Sequence, residues 1–120
     1  MGWPGLSANK INKFNSFSDS LRCGVEIFHT LKRTLEDKNL NTSVGDEGGF
    51  APSLSNNEEA IEFILEATEN AGFQPGKDVS VCLDVAANEL FKDKKYAISS
   101  SKFISPEETI DYYLDLINKY

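Results

Sequence analysis

The sequence predicts a slice of an α/β layered fold, ordered helix, loop, helix, strand, hairpin, helix. Three observations carry this. Three stretches place apolar residues at three- and four-residue steps behind a capping residue; one short run, Val79 to Val85, is apolar and β-branched; and a glycine-rich, carboxylate-bearing segment separates the first two helices. One strand alone cannot make a stable parallel sheet, so these residues are expected to be an incomplete layer, with the third helix running to Tyr120 where a next βα unit would begin.

Met1 to about Asn15 carry Gly2, Pro4 and Gly5 and no sustained apolar period, so residues 1–15 are expected to be irregular and foreign to the domain that 16–120 make up. Ser16-Phe17-Ser18-Asp19 then resembles a capping box, a serine followed three residues later by an acid. The helix it opens is expected to bury Leu21, Val25, Phe28, Leu31 and Leu35 on one face. His29, the one histidine, reads as a hydrogen-bonded structural group near that face, because no second ligand stands at metal-binding spacing.

Between Leu40 and Asn57 the helical period fades. At its centre stands Val44-Gly45-Asp46-Glu47-Gly48-Gly49-Phe50-Ala51-Pro52, with two adjacent carboxylates among glycines. Such glycines open backbone conformations closed to other residues and allow close approach of a ligand, so the loop reads as a device for aiming a carboxylate. The alternative is a solvated turn. Asn56-Asn57-Glu58-Glu59 starts the second helix, with Ile61, Ile64, Leu65 and Thr68 as its stripe and Gly72 as its left-handed stop.

Pro75-Gly76 marks a turn, and Val79 to Val85 reads as a buried parallel strand. An ionised Asp84 near its end is costly to desolvate and must face a cation, a donor network or water, of which a metal is the sharpest reading. Glu89 to Lys92 and Lys95 to Ile98 flank a hairpin whose turn is expected to exceed two residues, since Lys94 stands where glycine is easier. Ser105-Pro106-Glu107-Glu108 opens the last helix, with Ile110, Tyr113, Leu114 and Ile117 as its buried stripe.

The 120 residues carry 19 acidic against 12 basic side chains, a net charge of -7, which argues against a nucleic-acid or anionic-membrane surface. No apolar run approaches the roughly 20 residues of a membrane span. Cys23 in a helix and Cys82 in an apolar run read as buried small residues, not a disulfide, which suits a reducing, cytoplasmic setting.

Val44 to Pro52 and the later Leu83-Asp84-Val85-Ala86-Ala87 closely resemble two signatures of the enolase family. Leu21 to Lys32 looks like that family's long helix before the loop, and Ser105-Pro106 like its later helix start. The resemblance runs from about Ser16 to Tyr120 and implies the early part of a (β/α)8 TIM-type barrel of the enolase kind, incomplete in this chain. It implies a magnesium-dependent lyase of glycolysis that converts 2-phosphoglycerate to phosphoenolpyruvate and water, in a complete enzyme that is a homodimer. Glu47 matches the family's proton donor to the departing hydroxide, and Asp84 a ligand of the Mg2+ ion. Asp46 is expected to shape the loop through side-chain hydrogen bonds.

Asn88, Leu90 and Lys94 depart from the commonest family text. The family's catalytic lysine, its other magnesium carboxylates and its substrate-binding histidine and arginine have no counterpart in these residues. Two readings follow: a piece of the enzyme, inactive by itself, or a non-catalytic truncated product or interaction module that keeps the loop as scaffold.

Overall fold

A computed structural model describes residues 9–11, 14–46, 48–99 and 101–120. Its elements are β1 (Asn9–Ile11), α1 (Phe17–Asp37), α2 (Asn57–Asn70), β2 (Val79–Val81), α3 (Ala87–Leu90), β3 (Phe91–Lys92), β4 (Lys95–Ala97), β5 (Phe103–Ile104) and α4 (Pro106–Lys119).

The helix ends follow the local chemistry. The Ser16 hydroxyl oxygen accepts the Asp19 amide at 3.1 Å, and Asn56 Oδ1 accepts the Glu59 amide at 2.8 Å, each satisfying an otherwise orphaned first-turn donor. At α4 the capping box is complete: the Glu108 amide donates to Ser105 Oγ, and the Ser105 amide donates to the Glu108 carboxylate at 2.7 Å. Gly72 closes α2 in the left-handed region at φ 86°, with the Gly72 and Phe73 amides returning to the carbonyls of Glu69 and Thr68. Asn39, at φ 57°, closes α1 the same way through the carbonyls of Glu36 and Leu35.

The core lies where α1 crosses α2 and β2. Cys23, Ile27, Ala67 and Val79 form its centre, with Ile11, Phe14, Leu31, Ala71 and Phe73 packed against it. Thr34 and Thr68, buried in this region, donate their hydroxyls to their own helices, to the carbonyls of Thr30 and Ile64.

Only part of α1's expected stripe is buried. Leu35 is, but Leu21 and Val25 are 54% and 45% exposed, and the helix turns Cys23, Ile27, Thr30 and Thr34 inward instead. The reason is that α1 carries two apolar stripes, and the inward one is made partly of threonine and cysteine. In α2, Ala60, Ile61, Phe63, Ala67 and Thr68 are buried while Ile64 and Leu65 are half-buried. On α4 the expected stripe is mostly outside: Ile110, Leu114 and Ile117 are exposed, Tyr113 is half-buried and Leu116 is the buried residue.

The strands differ from expectation more. Asn9–Ile11, inside the segment read as irregular, form β1 and pair antiparallel with β2 in the register Asn9↔Val81, Lys10↔Ser80, Ile11↔Val79. Residues 1–8 and 12–13 of that segment lie outside the described residues. The strand expected over Val79 to Val85 ends at Val81, and Cys82 is exposed instead of buried. Among the described residues, parallel contact reaches it as a single bridge between Pro75 and Val79.

β3, β4 and β5 form a second antiparallel sheet in that order. Its first hairpin turns through two residues, Asp93 and Lys94, at φ 51° and 62°. This is the tight turn whose twist matches paired strands, so the longer turn is not needed. Leu90 and Glu89, expected in the hairpin, close the short α3.

Candidate functional site

The loop after α1 is a small closed hairpin. Val44 and Phe50 face each other in an antiparallel bridge, the Gly45 amide donates to the Gly49 carbonyl at 2.8 Å, and the Gly48 amide donates to the Gly45 carbonyl at 2.9 Å. One step further out, the Ala51 amide reaches the Ser43 carbonyl. Gly48 takes φ 82°, a conformation open chiefly to glycine, and Gly45, Asp46, Gly48 and Gly49 are all exposed. The bonds that close the turn run between backbone atoms. Glu47, between Asp46 and Gly48, lies outside the described residues.

The loop meets the body of the chain through an aromatic stack. The Phe50 ring lies on the Phe28 ring with centroids 4.4 Å apart and planes 18° apart. Phe28 belongs to the second stripe of α1, in line with Leu21 and Val25 at helical spacing. Its ring also takes His29 edge-on, at 5.6 Å between centroids. His29 itself is exposed, not set into a buried face, because the inward stripe of α1 is the other one. Sequence reasoning passed over the Phe28–Phe50 pair; its signal was an aromatic directly after the glycine pair.

Asp84 lies in the irregular stretch between β2 and α3, exposed to solvent. No grouping of three or more histidine, cysteine, aspartate or glutamate side chains able to hold a metal occurs among the described residues. Magnesium asks for near-octahedral oxygen ligands and keeps several waters, so a single solvated carboxylate does not make its site. The described residues thus do not by themselves fit the ion.

Fold and loops together define a mixed α/β chain in which Asp84 rides on the connection after β2, the carboxyl end of a strand, where a layered α/β protein presents its chemistry. Residues 11–120 match the family described as Enolase, C-terminal TIM barrel domain. The chain is 50% identical over 109 residues to the enolase of Pelagibacter ubique (strain HTCC1062), an alignment covering 91% of this chain and 26% of that protein. The chain belongs to the enolase family and spans about a quarter of the length of this curated relative. Among the described residues no helix is long and apolar enough to cross a membrane.

Proposed function

We propose that this chain supplies two acids to an enolase active site, which dehydrates 2-phosphoglycerate to phosphoenolpyruvate and water. The observation that supports this is the closed hairpin of Val44 to Phe50, in which backbone bonds and a left-handed glycine hold Gly45, Asp46, Gly48 and Gly49 in solvent, on either side of Glu47 in the sequence. Glu47 is the proton donor: as the substrate's hydroxyl departs, the carboxyl gives up its proton and the leaving group becomes water. Asp84 is one ligand of a Mg2+ ion, and the remaining ligands come from residues other than those described.

The lysine that abstracts the proton in the family has no counterpart among these residues. The chain alone is therefore catalytically silent, and the complete enzyme acts in the cytoplasm as a homodimer. Ultraviolet absorbance of phosphoenolpyruvate formed from 2-phosphoglycerate tests both halves of this. The purified 120-residue chain is expected to show no turnover, and measurable turnover contradicts its silence. In a polypeptide of the relatives' full length carrying this segment, Glu47→Gln is expected to lower kcat by about a hundred- to ten-thousand-fold, the range of a general acid. Near-normal turnover would remove Glu47 from the role. Asp84→Asn is expected to raise the magnesium concentration needed for half-maximal rate.

A further inference from the structure

We propose that α3, β3, β4, β5 and α4 swing as one body on the connection of residues 82–86, and that the hydroxyls of Tyr112 and Tyr120 latch that body shut against α2. The inference concerns motion within this chain and stands apart from the catalytic reading.

The chain is built as two bodies on either side of that connection. The core of Cys23, Ile27, Ala67 and Val79, and the residues packed around it, all precede Cys82. Beyond the connection, β3, β4 and β5 pair with one another, α4 lies against β4, and Ser105 caps α4 directly after β5, so sheet and helix are tied together. The connection itself is slack. Cys82, Leu83 and Asp84 are exposed, and among the described residues its backbone bonds are local, the Ala87 amide donating to the Val85 carbonyl and the Glu89 amide to the Ala86 carbonyl.

What joins the two bodies is hydroxyl chemistry around one leucine. Tyr112, Leu116 and Tyr120 recur at four-residue steps and so share a side of the helix. The Tyr112 hydroxyl donates to the Glu58 carboxylate and accepts from the Asn57 side chain, and the Tyr120 hydroxyl meets the Glu62 carboxylate. Leu116 between them is the buried residue of α4, whereas Ile110, Leu114 and Ile117 lie in solvent. Lys119 also approaches Glu62, at 3.5 Å, but that pair is more than half exposed and screened, so it adds little. Hydroxyls bonded to carboxylates are the stronger ties, and two of them eight residues apart resist rotation as well as lift-off. Opening this joint uncovers one leucine and hands the polar groups to water, while both bodies keep their own packing. Asp84 stands on the hinge, so its direction relative to the core follows the latch.

Pulsed electron paramagnetic resonance between spin-label pairs on this chain reads the swing. In a Cys82→Ser background, labels at Glu69→Cys on α2 and Asp115→Cys on α4 report the joint. Labels at Glu26→Cys and Glu69→Cys report the first body, and labels at Lys92→Cys and Asp115→Cys the second; all these positions are exposed. Replacing both tyrosines, Tyr112→Phe with Tyr120→Phe, is expected to raise the ratio of long to short α2–α4 distances on the order of tenfold, since each lost bond is worth about two- to tenfold in an equilibrium. The distances within each body should stay as they were. Lys119→Met, which removes the screened pair, should change the ratio less than twofold.

An unchanged α2–α4 distance in the double tyrosine variant overturns the latch. Equal broadening within the first body overturns it too, because the chain is then one cooperative whole. Broadening between β3 and α4 means that the helix peels away alone and removes the hinge. If Lys119→Met opens the joint as far as the tyrosine pair does, the hydroxyls are not what holds it.

Discussion

The Tyr112 hydroxyl on α4 donates to the Glu58 carboxylate on α2 at 3.1 Å while accepting from the Asn57 side-chain amide at 3.0 Å. Eight residues on, the Tyr120 hydroxyl reaches Glu62 at 2.7 Å, so α4 and the residue after it are clasped to α2 at two tyrosines while Ile110, Leu114 and Ile117 stay outside. Burial above all pushes the Tyr112 phenol up to about 12; the hydrogen bond from Asn57 opposes this, and the charge and hydrogen bond of Glu58 add to it. A raised phenol favours the protonated form in the fold. Its contribution is therefore complete below the unfolded value of about 10 and is lost as pH rises through about 12. An ultraviolet titration of phenolate should show a last tyrosine step near pH 12 that Tyr112→Phe abolishes.

The turn at Asp93-Lys94 holds two non-glycine residues in the left-handed region. A side chain there costs roughly 1–2 kcal/mol, partly offset by the smaller backbone freedom it has when unfolded. Lys94→Gly is expected to stabilise the chain by about 0.5–1 kcal/mol, measured as a higher urea midpoint with an unchanged slope. An unchanged midpoint would mean that the turn carries no strain.

Two isoleucines on helices should respond in opposite ways to truncation. Ile27 is 2% exposed at the centre of the core, and Ile27→Ala is expected to cost about 2–5 kcal/mol. Ile117 is 72% exposed, although helical spacing assigns it to a buried stripe, and Ile117→Ala should stay within about 0.5 kcal/mol. Equal losses in denaturant melts of this chain would mean that the face of α4 is covered after all.

Removing one cap tests the last helix. Ser105→Ala takes away both the acceptor for the Glu108 amide and the reciprocal geometry that seats the Glu108 carboxylate on the Ser105 amide. The expected cost is about 1 kcal/mol, read as a lower melting temperature by circular dichroism. Ser105→Asp, which keeps an acceptor, should recover most of it.

The helix boundaries at Ser16, Asn56, Gly72 and Ser105 were legible because caps are settled by a few neighbouring residues. Which helical face turns inward was less so. Leu21 and Val25 are the larger hydrophobes, yet the face with Cys23, Thr30 and Thr34 is the one that meets α2, since small side chains let two helices approach closely. β1 escaped notice because it is three residues long with Ile11 as its one apolar side chain. Asp84 was recognised as an acid that must face a cation, a donor network or water, and it is exposed. The exposure of Cys82 just beyond β2 is a tertiary fact that no local pattern contains.

The buried threonines carry a consequence for how α1 and α2 fit together. Thr34 and Thr68 give their hydroxyl protons to carbonyls one turn back on their own helices, and Thr30 receives its partner, Arg33, from its own helix as well. None of these hydroxyls reaches across the seam; the polar tie lies at its edge, where Lys38 at the end of α1 meets the Glu66 carboxylate of α2 at 3.2 Å, and the buried interior of the joint is aligned by contour. Exchanging Thr34 or Thr68 for valine would leave no donor stranded on the facing helix, and the seam can drift in sequence as long as its relief is preserved.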